Sequence, residues 1–212
     1  MNTAIQSAHN LAWKLSAVLQ GWAGPALLDT YETERRPWAK QTVDLSYRLN
    51  GQHRRAASHT LGHILGSAYE SGAFVHDGTP APQIADPVAE YVPSARPGRR
   101  APHFWLARED GPVSTIDFFD GRFVLLSPSE VWCTAGREVA ATLRVPFRAE
   151  VIADPGWAEL YGVGSQGAVL VRPDGHVAWR SAVPTPEPAA TLRQVFASVL
   201  GLPARADSLV AT

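Results

Sequence analysis

An α/β chain, with helices first and a small sheet after them, is the fold class this sequence predicts. Three observations predict it. Residues 1–49 carry apolar side chains at helical spacing, residues 74–102 are crowded with prolines and turn formers, and from Ala101 short apolar strands alternate with amphipathic helices.

The first helix opens at once. Thr3 is placed as its N-cap, and Gln6, three positions on, completes a capping box. Ile5, Ala8, Ala12, Leu15 and Leu19 recur at spacings of three and four, which predicts an apolar stripe. Gly21 is placed to end the helix in a left-handed conformation. After a turn at Trp22 to Gly24, Pro25 suits the first position of a second helix bearing Leu27, Leu28, Tyr31, Trp38, Leu45 and Leu49. Pro37 lies inside that pattern and should kink or restart it. Glu32, Glu34, Arg35 and Arg36 are expected to pair along its surface as architecture, with no catalytic role. Leu61, Ile64 and Leu65 suggest a short helix near Gly62 and Gly66. His59 and His63 stand four apart but make half a zinc site at most, so solvated histidines and no metal are expected.

Residues 74–100 read as an extended connector over the surface. The elements beyond are Arg122 to Leu126 as a buried strand, Ala135 to Leu143 as a helix, and Phe147 to Ala153 as a second strand. Trp157 to Tyr161 follows as a short helix. Ala168 to Val171 and His176 to Trp179 flank Pro173-Asp174-Gly175, a hairpin signal. Thr185 as N-cap and Pro186 at the first helical position open the last helix. That helix has Leu192, Val195, Phe196, Val199 and Leu200 on one stripe and Gly201 at its end. A βαβ unit followed by ββα is thioredoxin topology. The expected organisation is therefore a helical segment over 1–73, the connector over 74–100 and a thioredoxin-like domain over 101–212. A chain beginning near Pro97 is expected to fold as a monomer.

Composition narrows the function. The 212 residues carry a net charge of −1, are 45% hydrophobic and 18% charged, and contain no basic cluster beyond the pairs Arg35-Arg36, Arg54-Arg55 and Arg99-Arg100. Nucleic-acid binding is not expected; the last two pairs read as solvated surface. No apolar run reaches transmembrane length and no signal peptide precedes the first helix, so no membrane partner and a cytoplasmic location are expected. Seven scattered tryptophans read as core and rim packing. Thioredoxin redox chemistry needs two cysteines at the start of the first helix, whereas Cys133 is the single cysteine. A packing role is expected for it, and the thiol arrangement that Asp174 and His176 would complete is weak.

One stretch carries a specific resemblance. MNTAIQSAHNLAWKL (Met1 to Leu15) closely resembles the segment that closes the FAD-binding domain of flavin-dependent aromatic hydroxylases. LLDTYETERRP (Leu27 to Pro37), DGTPAP (Asp77 to Pro82) and YVPSARPGRRAPH (Tyr91 to His103) resemble further blocks of the same family. The ending resembles the thioredoxin-like C-terminal domain of its polyketide hydroxylase branch. Ala4 stands where the family commonly has Gly, and Ser7 where it commonly has Asp. The resemblance implies FAD as cofactor, NAD(P)H as reductant, O2 as co-substrate and an aromatic or polyketide substrate. It also implies that backbone amides of Met1, Asn2 and Thr3 face the flavin. A helix start can donate to the N1–C2=O edge of the flavin and stabilise negative charge there.

The chain nevertheless lacks the dinucleotide fingerprint: no G-x-G-x-x-G occurs, and Gly162-Val163-Gly164 lacks the third glycine. The expectation is a C-terminal part of such a hydroxylase, inactive and unable to retain FAD alone, with no catalytic residue of its own. Truncation, fragment and half of a split enzyme remain open as its origin. The alternative is a non-catalytic thioredoxin-like module for interaction or dimerisation. The resemblance places the Ile5–Leu19 stripe against the flavin domain. Self-association through the N-terminal helices, or their folding back on the thioredoxin-like domain, is expected in its absence.

Overall fold

A computed structural model describes residues 2–50 and 60–203, the side chains of Asn2 and Asn50 excepted. Helix α1 spans Asn2–Leu19. It has already begun at Asn2, so Thr3 lies inside the helix and is not its N-cap. Gln6 Oε1 accepts from Arg35 Nη2 (3.4 Å) instead of closing a capping box. Gly21 ends the helix as expected, at φ 76°. The stripe does not face the core. Ile5 is 62% and Leu19 77% exposed, while Asn10, Trp13, Lys14 and Ala17 form the buried face. Two of those four are polar, which is why hydrophobic spacing pointed to the wrong side.

Helix α2 runs unbroken over Ala26–Asn50, with Pro25 just before it and Pro37 inside. Pro37 is exposed on its outer side, and the helix continues through it. Helix α3 (Leu61–Leu65) is where the sequence placed it. His63 is half-buried: its ring stacks on Trp38 at 4.5 Å and Nε2 lies 3.0 Å from Thr42 Oγ1. His59, Arg54 and Arg55 lie outside the described residues.

A two-stranded ribbon, β1 (Trp105–Leu106) and β2 (Val113–Ser114), precedes the main sheet; the sequence pattern did not mark it. Then come β3 (Phe123–Ser127), α4 (Glu130–Leu143), β4 (Phe147–Val151), α5 (Pro155–Tyr161), β5 (Ala168–Val171), β6 (Val177–Ser181) and α6 (Pro188–Val199). The sheet order is β4-β3-β5-β6, with β3 parallel to β4 and antiparallel to β5, and β5 antiparallel to β6. This is the expected thioredoxin-like arrangement. Helix α4 starts five residues before the expected Ala135, because Trp132 and Cys133 already belong to its buried face. Helix α6 starts at Pro188, not Pro186, with Glu187 as its N-cap. Proline disfavours helical conformation in the residue before it, and Glu187, at φ −128° and ψ 73°, stays outside the helix.

The stretch after α3 is pinned to the edge of β6. Val75 N donates to Ala178 O (2.8 Å), Gly98 N to Val177 O (2.9 Å) and Val177 N to Arg99 O (2.8 Å). Arg180 Nε adds a bond to Asp77 Oδ2 (2.7 Å). Arg99 is thereby buried and not the solvated surface expected of it.

Both faces of β3 are covered. Phe123 and Leu125 face a core made with Trp132, Trp179 and Phe196, to which α1, the α1–α2 turn and the start of α2 contribute Trp13, Ala17, Trp22 and Leu27. Val124 and Leu126 face a second core with Trp157, Tyr161, Val169 and Val177. Trp13 and Trp22 both meet the Phe123 ring edge-on, at 5.9 and 6.4 Å. The helical arm therefore folds back on the sheet. At the turn, Gly24 N donates to Leu200 O (2.9 Å), and a Cβ on Gly24 would lie 2.0 Å from Gly201 O.

Candidate functional site

Helix α1 has begun by Asn2. Its leading N–H groups have no intrahelical acceptor, as at any helix start. Ala4 and Ile5 are exposed and Thr3 is half-buried. Of the residues expected at a flavin, Met1 lies outside the described residues, Asn2 is the first residue of the helix, and Thr3 uses its carbonyl on Arg35 (3.4 Å). The Thr3 side chain makes no hydrogen bond to another described side chain or backbone group.

Behind that helix start lies a buried polar cluster that the sequence reading took for surface pairs. Only Glu32 and Arg36 behave as such, 2.8 Å apart and exposed. Glu34 is buried and accepts from Arg172 Nη1 and Nη2, both at 2.9 Å, from Asn10 Nδ2 at 2.8 Å and from Ser71 Oγ at 2.7 Å. Lys14 Nζ lies 2.9 Å from Glu34 Oε2. Asp174, in the β5–β6 turn, takes Arg172 from the other side through Nε (3.0 Å) and also accepts from Asn10 Nδ2 (3.1 Å). The Arg172 guanidinium is sandwiched near the rings of Phe74 (4.2 Å) and Trp13 (5.0 Å).

The electrostatics follow from burial. Burial alone would raise the Glu34 carboxyl, but Arg172 and Lys14 outweigh it and hold it at about 2. Burial lowers the Lys14 ammonium to about 8 against the pull of Glu34. Burial opposes the charge on Asp174 too, and Arg172 and His176 overcome it, leaving its carboxyl well below the usual range.

Arg35 is also buried and closes the cluster toward α1. Nε donates to Ser7 Oγ (3.2 Å), Nη1 to the Tyr69 hydroxyl, and Nη2 to Thr3 O and Gln6 Oε1 (3.4 Å each). Tyr69 stacks on His176 at 4.5 Å. His176 Nδ1 is 3.4 Å from Asp174 Oδ1, and its Nε2 is 3.5 Å from Ser67 Oγ.

Asp174 and His176 are thus brought together, but at Arg172 and Tyr69 and without a recorded bond to Cys133. Cys133 is fully buried on α4, and burial pushes its thiol up to about 11, where it is a poor nucleophile near neutral pH. No group of three or more His, Cys, Asp or Glu among the described residues could hold a metal ion. No helix among them is long and apolar enough to cross a membrane. The sequence reading missed this cluster; its one trace in the sequence is Asn10 and Lys14 at i, i+4, in register with Trp13 and Ala17 on one face of α1.

The fold is a thioredoxin-like sheet without a redox cysteine pair, joined by buried charges to an N-terminal helical arm. The chain belongs to the family described as aromatic-ring hydroxylase, C-terminal, which residues 94–203 match, just over half of its length. Residues 1–46 match the FAD binding domain family.

The chain is similar to aklavinone 12-hydroxylase of Streptomyces purpurascens, at 39% identity over 94% of this chain and 40% of that protein. It is as similar to tetracenomycin A2 monooxygenase-dioxygenase of Streptomyces glaucescens, at 39% over 94% of this chain and 38% of that one. Among solved structures it resembles the flavin-dependent monooxygenase PieE, in complex with FAD and substrate. The TM-score is 0.82 and the identity 36%, over 95% of this chain and 44% of PieE. The chain thus spans about two fifths of the length of the curated relatives it matches.

Proposed function

We propose that this chain is the C-terminal part of an FAD-dependent hydroxylase acting on an aromatic or polyketide substrate with NAD(P)H and O2, and that it is inactive alone. The observation that carries the reading is helix α1, in a segment matching an FAD binding domain, docked on a thioredoxin-like sheet that has no redox pair. The proposed division is a helical remnant of the FAD-binding and substrate region over 1–73, a connector over 74–100 and the thioredoxin-like domain over 101–212. The cytoplasm is the proposed compartment.

The residues present fit one edge of the cofactor. Backbone N–H groups of Met1, Asn2 and Thr3 would hold it, by donating to the flavin N1–C2=O edge. There the helix start contributes roughly half a positive charge. Ala4, exposed beside them, narrows the approach by one methyl where the family commonly has glycine. FAD, when bound, supplies the redox chemistry and the activation of oxygen. This chain's residues orient that edge; the grip on adenine and pyrophosphate must come from residues it does not contain.

The experiment is an absorbance spectrum and an NAD(P)H oxidation assay on the purified 212-residue chain, compared with a product that includes the coding sequence upstream of Met1. The chain alone should be colourless and inactive, and the longer product yellow. Stoichiometric FAD in the chain alone overturns the reading. The exposed Ile5, Leu15 and Leu19 favour a second reading, a non-catalytic module that pairs through α1.

A further inference from the structure

Arg35 is a buried cation whose partners among the described residues are all neutral. Only 3% of it is exposed, yet its guanidinium touches a serine hydroxyl, a tyrosine hydroxyl, a glutamine amide oxygen and a main-chain carbonyl. Glu34, its neighbour in sequence, is held by Lys14 and Arg172. No carboxylate of the described residues forms an ion pair with Arg35. Three buried cations (Lys14, Arg35, Arg172) face two buried carboxylates (Glu34, Asp174). The surplus positive charge sits at the end of the cluster nearest the start of α1. Burying an ion without a counter-ion is costly, and a neutral side chain could cross-link neutral groups without that cost.

The acceptors explain the choice of arginine. Thr3, Gln6 and Ser7 lie in the first two turns of α1, and Tyr69 follows α3. A planar fork with five N–H donors can hold all four at once; a single ammonium cannot. The surplus charge also has the sign of the helix start, so it disfavours an empty site and favours an anionic edge placed there.

We propose that Arg35 is a positioning residue: it fixes the first two turns of α1, and so the N–H groups that face the flavin. This rests on the function proposed above. Arg35 acts through α1 and touches no substrate.

The test is amide hydrogen exchange on the full chain and on the variants R35K and R35Q. Both variants should speed exchange at residues 4–8 by roughly tenfold, while residues 13–17 and β3 stay protected. Lysine should fail to rescue, because it keeps the charge and loses the fork. Unchanged exchange in both variants, or wild-type protection in R35K, overturns the proposal. Should either variant lose protection in β3 as well, Y69F removes one acceptor and keeps the charge. It should speed exchange at residues 4–8 by roughly threefold, and no change there overturns the proposal. The readout needs no flavin. Its failure leaves the hydroxylase reading standing, and a chain that holds FAD by itself leaves this result standing.

Discussion

Glu34 and Arg172 are 138 residues apart in sequence and form a bidentate pair, both bonds 2.9 Å long, with both side chains buried. The pair joins α2 to the end of β5, and so the helical arm to the thioredoxin-like sheet. Asn10 bridges it by donating to Glu34 and to Asp174.

Breaking that pair should be expensive. E34Q leaves Lys14 and Arg172 with one buried carboxylate between them, and a cost of about 3–5 kcal/mol is expected. Chemical denaturation of the full chain measures it. A loss under about 1 kcal/mol would show that the cluster is hydrated, contrary to its burial.

Acid should undo the same cluster. The Glu34 carboxyl is held at about 2 against an ordinary 4.5, and Asp174 is also lowered. Between those values the unfolded chain binds more protons than the folded one, so stability rises with pH there. The contribution is complete above about pH 4.5 and is lost as pH falls toward 2. Its size is on the order of 3 kcal/mol for Glu34. Unfolding free energies between pH 2 and 6 should show this fall, and E34Q should flatten it.

Gly24 lies where two backbones touch. G24A puts a methyl against the Gly201 carbonyl, so the α1–α2 turn or the end of α6 must move. A destabilisation of about 1–3 kcal/mol is expected, seen as a lower melting temperature. An unchanged melting temperature would mean that α6 does not fix the arm.

Cys133 should behave as packing. C133S is expected to cost about 1–3 kcal/mol, since a hydroxyl replaces a thiol in a dry site, and to leave any partner binding intact. The native thiol should react with a disulfide reagent at pH 8 only after denaturant is added. Fast labelling of the folded chain would contradict its burial.

The outer face of α1 should drive association. Ile5, Leu15 and Leu19 are exposed on one helix, and Leu15→Glu with Leu19→Glu should convert a self-associating chain to a monomer in light scattering. A wild-type chain that is monomeric at high concentration rejects this. A chain starting near Pro97 would lose Trp13, Trp22 and Leu27 from the core around Phe123 and Phe196. It is now expected to be less stable than the full chain, in place of the well-behaved monomer that the sequence suggested.

The strands of the main sheet and the stripe of the final helix were legible because their burial is apolar and local. Phe123 to Leu126, Ala168 to Val171 and the Leu192–Leu200 stripe announce themselves by composition and period. The resemblance of Met1 to Leu15 carried the family. The buried face of α1 was not legible, because Asn10 and Lys14 count as polar in any periodicity. Their burial is stabilised only by Glu34 and Asp174, which arrive from α2 and from the β5–β6 turn. For the same reason Glu34 and Arg35 read as one more surface pair beside Glu32 and Arg36. Sequence by itself determined which segments form the helices and the strands of the main sheet. Only the tertiary structure decided which charges are buried, because a buried charge is tolerated through partners brought together by the fold.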